Sequence, residues 1–566
     1  MRLIERRIGL LFAGFLVAFL LIVCRAFWLQ GVEASTLSSQ ALNQQTQTVM
    51  VPGLRGAILD RNGTRLASSE DAATIVTTPY LVKKKVKAAN ELGPILKQKP
   101  AQVLKVLNTE SGFAYLAKDV DLSTATKIEK LGIEGIEQIP GSRRTYPQGE
   151  MAGQTIGVVS AEGQGLTGVE LGENSALAGE EGERKVVTDA LGDPIKLETV
   201  KEARDGEDVE LTLDPGIQEA TEQVLAKVGE EWSPKGATAI VMDPETSEIL
   251  AMANWPPIDP GDLAHVESNE ELLNKATGFN YEPGSTFKAF TVAAALEEKV
   301  VTPTTEFTLP PTIQVADRTI KDAEERGTET MTVEQILARS SNVGAITLAE
   351  RLTRHRLVHW ISRFGFGHLT GIDFPGESQG IVLPEDKWSG SSIGNIPIGQ
   401  GIAVTPIQMA SAYAAIANRG VWVRPHLVDH VGDGDTSKPA RRRVVSGWVA
   451  REVMAMLKNV VAEGTGTLAA VPGYLVAGKT GTAAKPDPHG GYSDSRYVAS
   501  FVGVVPASRP RLVILVSVDE PRGAIWGGVV AAPAFAQIAK FDLQYLDGGV
   551  PPDAPATTTS TATYNP

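Results

Sequence analysis

An unbroken apolar run from Ile8 to Cys24 (IGLLFAGFLVAFLLIVC) constrains this chain more than any other feature. At about 17 residues it sits at the short end of what crosses a bilayer as a helix. Ala26, Phe27 and Trp28 extend it, because Arg25 can snorkel and an indole suits the membrane interface. Arg2, Arg6 and Arg7 precede the run, which predicts a cytoplasmic N-terminus and an exported remainder; Arg25 weakens that asymmetry without reversing it. The competing reading is a cleaved signal peptide with Val32-Glu33-Ala34 as the cleavage site. That site lies about ten residues past the run, behind bulky Phe27 and Trp28, so an uncleaved anchor is preferred. No second run of spanning length follows, which predicts a single-pass protein.

The exported part is large. With 566 residues, 42% hydrophobic and 21% charged, the chain can bury sizeable cores in two or three domains. Its net charge of −14 argues against general nucleic-acid binding. One cysteine, Cys24, rules out an intramolecular disulfide and a thiolate metal cluster. Four segments are expected: cytoplasmic start, anchor and stalk over 1–45; a domain of short strands, charged patches and turns over 46–205; a larger mixed domain over 206–547; and a disordered tail over 548–566, which lacks large apolar residues. Asn62-Gly63 marks a hairpin in the second segment. In the third, Asp208 to Leu213, Thr238 to Met242, Ile249 to Ala253, Tyr474 to Ala477, Tyr497 to Val505 and Leu512 to Val518 read as strands. Ala289–Glu297, Val333–Ala338, Ile407–Ala417 and Trp448–Val460 read as helices between them. That order predicts an α+β domain, a sheet with helices packed on both faces.

Three short motifs carry the chemistry. Ser285-Thr286-Phe287-Lys288 follows Pro283-Gly284 at the start of a helix that is apolar nearly all round. Positions three apart share a helical face, so Lys288 lies one turn from Ser285. A serine hydroxyl needs a base, and an amine can serve once burial or a second cation lowers its pKa. The bland reading is a helix start with a solvated lysine; average composition gives on the order of one or two chance matches in such a length. Ser340-Ser341-Asn342 falls at the end of a helix opened by the capping box Thr332 to Gln335, where plain C-terminal capping by small polar residues would also account for it. Lys479-Thr480-Gly481-Thr482 closes the strand-like YLVAG and offers a cation, hydroxyls and close backbone approach to a carboxylate; a strand running into a turn is its bland reading. The three in this order are far more specific than any one, and together form the signature of penicillin-binding proteins and class A β-lactamases.

With further segments, the chain resembles the class B penicillin-binding proteins over nearly its whole length except the extreme tail. Arg55-Gly56-Ala57-Ile58-Leu59-Asp60-Arg61-Asn62-Gly63, Arg143 to Gly149 and Gly168-Val169-Glu170 match that family's pedestal motifs; Ile398-Gly399-Gln400-Gly401 with Thr405-Pro406 matches its segment between the second and third catalytic motifs. The resemblance implies a type II anchored D,D-transpeptidase of peptidoglycan, with an elongated pedestal (dimerisation-like) domain and a penicillin-recognising transpeptidase domain whose sheet is antiparallel. It implies Ser285 as nucleophile, Lys288 as base helped by Lys479, Ser340 as proton relay and Asn342 as holder of the substrate amide. Backbone N–H groups of Ser285 and Thr482 would form the oxyanion hole, and Thr480, Gly481 and Thr482 would receive the terminal carboxylate. No metal or cofactor is implied. The implied partners are stem peptides, β-lactams as acylating inhibitors, a SEDS-type glycosyltransferase and other division proteins. Ser-Ser-Asn-Val-Gly points to the division-type branch. An elongation-type enzyme, a D,D-carboxypeptidase and a division scaffold with a vestigial site are the alternatives, while a β-lactamase would have no use for an anchor and a pedestal.

Overall fold

A computed structural model describes residues 2–36, 46–51, 53–188, 194–434, 438–487, 489–546, 549 and 551–553. Most of the expected stalk and most of the expected disordered tail lie outside the described residues. The N-terminal helix Arg2–Phe27 continues through a π turn, Trp28–Val32, and its large side chains such as Phe15 and Leu10 are exposed. Ile4–Val32 is long and apolar enough to cross a membrane. It is longer than the apolar run alone suggested, because Arg25 sits inside the helix and pairs with Glu33.

By contacts the chain divides into two units: residues 1–54, 70–143 and 179–206 form one, and residues 55–69, 144–178 and 207–566 form the other. In the first, Ala72 to Thr77 pairs antiparallel with Ala114 to Asp121. Helices Lys85–Ile95, Pro100–Leu107 and Leu122–Glu129 contribute a thin core of Leu92, Val103, Leu107 and Ile128 around Ile75 and Leu116. The sequence suggested only strands and turns here. These helices are short, 8 to 11 residues, too short for their period to stand out, and the third is opened by a local cap: Asp121 accepts the Thr124 N–H at 2.9 Å. A separate sheet of three antiparallel strands is formed by Thr46–Val51, Gly182–Thr188 and Pro194–Lys201.

The second unit is built on a five-stranded antiparallel sheet in the order Ile249–Trp255, Gly236–Met242, Leu512–Asp519, Tyr492–Val505, Ala477–Pro486. Alternation along each strand assigns the two faces. Ala239, Val241, Ile514 and Val516 pack with Leu225 of helix Pro215–Trp232 and Phe535 and Ile538 of helix Gly527–Tyr545. Ile240, Met242, Val513 and Leu515 join the opposite core with helices Lys288–Glu297, Pro406–Ala417 and Gly447–Ala462. The expected antiparallel sheet covered on both faces is therefore present. Helix Gly527–Tyr545 is not among the expected helices; it opens on two glycines and contains Pro533, and its packing on the sheet outweighs that local cost.

One strand differs. Tyr474–Val476 leaves a tight turn at Pro472-Gly473, closed by the Tyr474 N–H on Val471 O at 3.0 Å, so the strand starts at Ala477. It then runs on to Pro486, paired with Tyr492–Val505, and holds the third motif within it rather than at its end.

The three pedestal motifs meet in this unit around a fully buried carboxylate. Glu170 Oε2 accepts Arg55 Nε at 2.6 Å and Oε1 accepts Arg144 Nε at 2.7 Å, with Arg55 and Arg144 themselves almost wholly buried. Arg55 also donates to Glu170 O at 2.6 Å and Asn174 Oδ1 at 2.8 Å, and Arg144 to Gly56 O at 2.7 Å. The expected hairpin forms at Asn62-Gly63: Gly63 has φ +77°, and Asp60 Oδ1 accepts the Asn62 and Thr64 N–H groups at 2.8 and 3.0 Å.

Candidate active site

Ser285 lies in a 3₁₀ turn, Gly284–Phe287, that feeds directly into helix Lys288–Glu297, whose residues are buried from Lys288 to Leu296. The turn is held from several sides. Thr286 Oγ1 donates to Pro283 O at 2.7 Å, Tyr413 Oη donates to Thr286 O at 2.8 Å, and the Gly284 N–H reaches Gly399 O at 3.0 Å. Two glycines are required at this contact. Gly399, with φ +78°, would place a Cβ 2.1 Å from Gly284 O; Gly284, with φ +54°, would place one 2.9 Å from Thr482 O. The Ser285 side chain is half-buried and, among the described residues, makes no hydrogen bond.

Lys288 is buried and its amine turns to the second motif instead. Nζ donates to Asn342 Oδ1 at 2.7 Å, to Ser340 Oγ at 3.2 Å and, by a short bond, to Ser340 O. Three acceptors match the three N–H groups of an ammonium; a neutral amine would keep two donors and offer its lone pair to a hydroxyl. Ser340 has φ +58°, a left-handed conformation costing a non-glycine residue about 1–3 kcal/mol. It terminates helix Val333–Ala338, opened by the expected capping box with Gln335 N on Thr332 Oγ1 at 3.2 Å and Thr332 N on Gln335 Oε1 at 2.9 Å. Ser341 caps the next helix, Asn342–Leu352, accepting the Gly344 N–H at 3.0 Å. Asn342 is engaged at both ends, since its Nδ2 donates to Lys321 O at 2.8 Å.

The third motif lies on the edge strand of the sheet. Lys479 is fully buried (0% exposed), its Nζ 3.2 Å from Thr480 Oγ1, which in turn lies 2.8 Å from Thr465 Oγ1. A Cβ on Gly481 would stand 2.4 Å from Ser500 Oγ and 2.9 Å from Pro283 O, so the strand passes hard against the Ser285 turn. Thr482 Oγ1 accepts the Gly527 N–H at 3.0 Å.

Burial governs the electrostatics. It pushes the Lys288 amine down to about 7, against the upward pull of the Asp322 carboxylate. It pushes Lys479 well below its ordinary value, with the charge of Lys288 adding to the effect. The repulsion expected between the two amines is present, and it bears on Lys479. The arrangement offers two dry amines beside three half-buried hydroxyls, Ser285, Ser340 and Thr482, facing one edge of a sheet. A buried amine that loses its proton near neutral pH, one turn from a half-buried hydroxyl, is what nucleophilic catalysis at serine requires.

Several neighbours have no signature in the sequence. Asp322 accepts from Ser341 Oγ at 2.9 Å and from the Val343 N–H at 2.9 Å; Thr465 meets Thr480. Glu282, just before the Ser285 turn, accepts the Gly401 N–H at 2.9 Å and Tyr492 Oη at 3.1 Å, and lines a cavity of about 360 Å³ with Tyr281, Ile402 and Ala483. These contacts join segments far apart in the chain, and a single acidic or threonine residue carries no periodic signal.

Residues 237–540 match the family described as penicillin binding protein transpeptidase domain, and residues 50–211 match the penicillin-binding protein dimerisation domain. Among curated relatives, Stage V sporulation protein D of Bacillus subtilis is 34% identical over 550 residues, covering 95% of this chain and 85% of that one. Peptidoglycan D,D-transpeptidase FtsI of Escherichia coli is 33% identical over 562 residues, 97% of this chain and 93% of that one. Penicillin binding protein 3 of Mycobacterium tuberculosis, solved in complex with aztreonam, superposes with a TM-score of 0.70 at 31% identity, covering 90% of this chain and 100% of that chain.

Proposed function

The chain belongs to the class B penicillin-binding proteins, and on that premise we propose that it cross-links peptidoglycan stem peptides through a serine acyl-enzyme. The observation that carries this reading is the Lys288 amine, buried, lowered to about 7 and bonded to Ser340 and Asn342 one turn from Ser285. Ser285 Oγ attacks the carbonyl carbon between the two terminal D-alanines and gives its proton to Lys288. The C–N bond breaks as Ser340 gives its proton to the leaving amine and takes one from Lys288, and free D-alanine departs from the ester on Ser285. An amine of a neighbouring stem attacks that ester, forms the cross-link and returns the proton to the serine. The N–H groups of Ser285 and Thr482 face the developing oxyanion, the usual source of a large part of such a rate enhancement. Thr480, Gly481 and Thr482 receive the terminal carboxylate, and β-lactams acylate the same hydroxyl.

The direct test is to label the detergent-solubilised full-length chain with a fluorescent penicillin and map the modified residue by mass spectrometry. An ester on Ser285, and no labelling of Ser285→Ala, is the expected result; a label elsewhere, or one that survives the substitution, overturns the reading. Supplying an acceptor amine with a pentapeptide donor should then give cross-linked dimers rather than hydrolysed tetrapeptide alone.

The role is septal wall synthesis, supported by the Ser-Ser-Asn-Val-Gly stretch over 340–344. The N-terminus is cytoplasmic and the enzymatic part extracytoplasmic, supported by Arg2, Arg6 and Arg7 ahead of the span. A SEDS-type glycosyltransferase contacts the anchor and the pedestal. Replacing residues 1–45 by an unrelated anchor should impair rescue of a depletion strain, and undiminished rescue would count against that contact.

A further inference from the structure

Asp322 stands behind the second motif and accepts hydrogen bonds on both carboxylate oxygens. It follows strand Arg318–Lys321, on the loop that leads to strand Glu329–Thr332. The carboxylate is 8% exposed. Oδ1 accepts the Val343 N–H at 2.9 Å and the Ser341 hydroxyl at 3.2 Å; Oδ2 accepts the same hydroxyl at 2.9 Å and Arg326 Nε at 2.6 Å. Ser341 thereby donates to Asp322 while accepting the Gly344 N–H, so its rotamer is fixed from both directions. The residue before Asp322 closes the same clamp, since Lys321 O accepts Asn342 Nδ2.

We propose that Asp322 is a positioning residue of the acyl-transfer site: its carboxylate clamps the Ser340-Ser341-Asn342 turn in its left-handed form and supplies a negative charge that acts on the Lys288 amine. This rests on the serine-acylation reading above. Three consequences of the geometry support it. Ser340 and Asn342 both present acceptors to Lys288, one through its backbone carbonyl, and the left-handed backbone at Ser340 makes that possible at a cost that must be met nearby. The nearby contact is the Asp322 bond to Ser341 and Val343, on the two sides of Asn342. Second, the charge that bears on Lys288 is that of Asp322, from this loop, while the charge of Lys288 in turn bears on Lys479 of the edge strand; the direct contacts, Ser340 and Asn342, are uncharged. Asp322 opposes the burial that drives the amine toward neutrality and so keeps it basic enough to hold a proton during acyl transfer. Third, Arg326 is bound to Asp322 and also to Leu309 O at 3.0 Å, which fixes the carboxylate to the neighbouring hairpin rather than leaving it free to turn to the lysine.

Charge and shape can be separated by substitution. Asp322→Asn keeps the outline and can still accept the Val343 N–H, but loses the charge; Ser341→Ala keeps the charge and loses the hydroxyl that Asp322 grips. In the solubilised full-length chain, the rate of acylation by a fluorescent penicillin is measured across pH 5 to 9. Asp322→Asn should move the midpoint of the rise to lower pH by roughly one unit, with a lower plateau. Ser341→Ala should slow acylation about tenfold with the midpoint unmoved. An unmoved midpoint in Asp322→Asn, or an unchanged rate in Ser341→Ala, overturns the proposal, and the second readout stands even where Asp322→Asn does not fold. Ser285→Ala is the control: labelling that survives it refutes serine acylation itself, a failure distinct from either of these.

Discussion

Lys288 Nζ stands 2.7 Å from Asn342 Oδ1, so an amine from the first motif is held by an amide from the second. The lysine that begins one turn from Ser285 thus has its resting bonds across the cleft, and acyl transfer requires it to exchange one of them for the serine hydroxyl. Charge on the amine favours the resting set of three acceptors; loss of its proton frees a lone pair for the serine.

The pH dependence follows from the same displacement. Burial lowers Lys288 from 10.5 to about 7, so the competent neutral amine predominates above that value and is lost below it. Acylation by a penicillin should rise about tenfold per pH unit below 7 and level off above it, measured as a second-order rate constant at constant ionic strength. For stability the sign is opposite to that of a salt-bridged lysine. The unfolded chain binds the proton more tightly, so this group's contribution weakens folding as pH falls from about 10.5 to 7.

Lys479→Met should separate stability from activity. The substitution removes a fully buried amine, whose solvation is lost on folding and whose protonation burial disfavours, and fills the space with an apolar chain of similar length. The apparent Tm should rise or hold, while acylation falls by about a hundredfold or more. A parallel fall in both would show that the amine serves packing alone.

Glu170→Ala should destabilise the chain far more than any surface charge change. It strands the Arg55 and Arg144 guanidiniums in a buried place with their shared acceptor gone. About 3–5 kcal/mol of loss is expected, read by chemical denaturation of the larger unit's tryptophan signal.

Gly399→Ala should act on the serine from behind. Its Cβ would fall 2.1 Å from Gly284 O in a backbone that already has φ +78°, so the turn bearing Ser285 must shift. A displacement of about 1 Å can cost on the order of a hundredfold in rate; acylation should drop by that order with far-UV circular dichroism unchanged.

Much of this was legible in the sequence for a simple reason: the strands of the sheet alternate or run fully apolar, and helix Lys288–Glu297 is apolar on every side. The capping box at Thr332, the Asn62-Gly63 hairpin and the three motif positions are local signals, and local signals survive in a one-dimensional reading. What did not survive was the partner of each group. Lys288 sits at helical spacing from Ser285, yet its bonds go to Ser340 and Asn342; Asp322 and Thr465 carry no pattern at all. The strand expected over Tyr474 to Ala477 begins only at Ala477, because Tyr474 to Val476 are the exit of the Pro472-Gly473 turn, and the strand is defined by pairing with Tyr492–Val505, which only the fold supplies.

The turn that carries Ser285 is the outer end of a helix with no solvent face. Its position is therefore inherited from the interior and cannot drift on its own the way a hydroxyl on a surface loop can. Loosening anywhere in the large core around that helix should be felt at the nucleophile first, so heat inactivation and loss of tertiary structure in this unit should follow one curve rather than two.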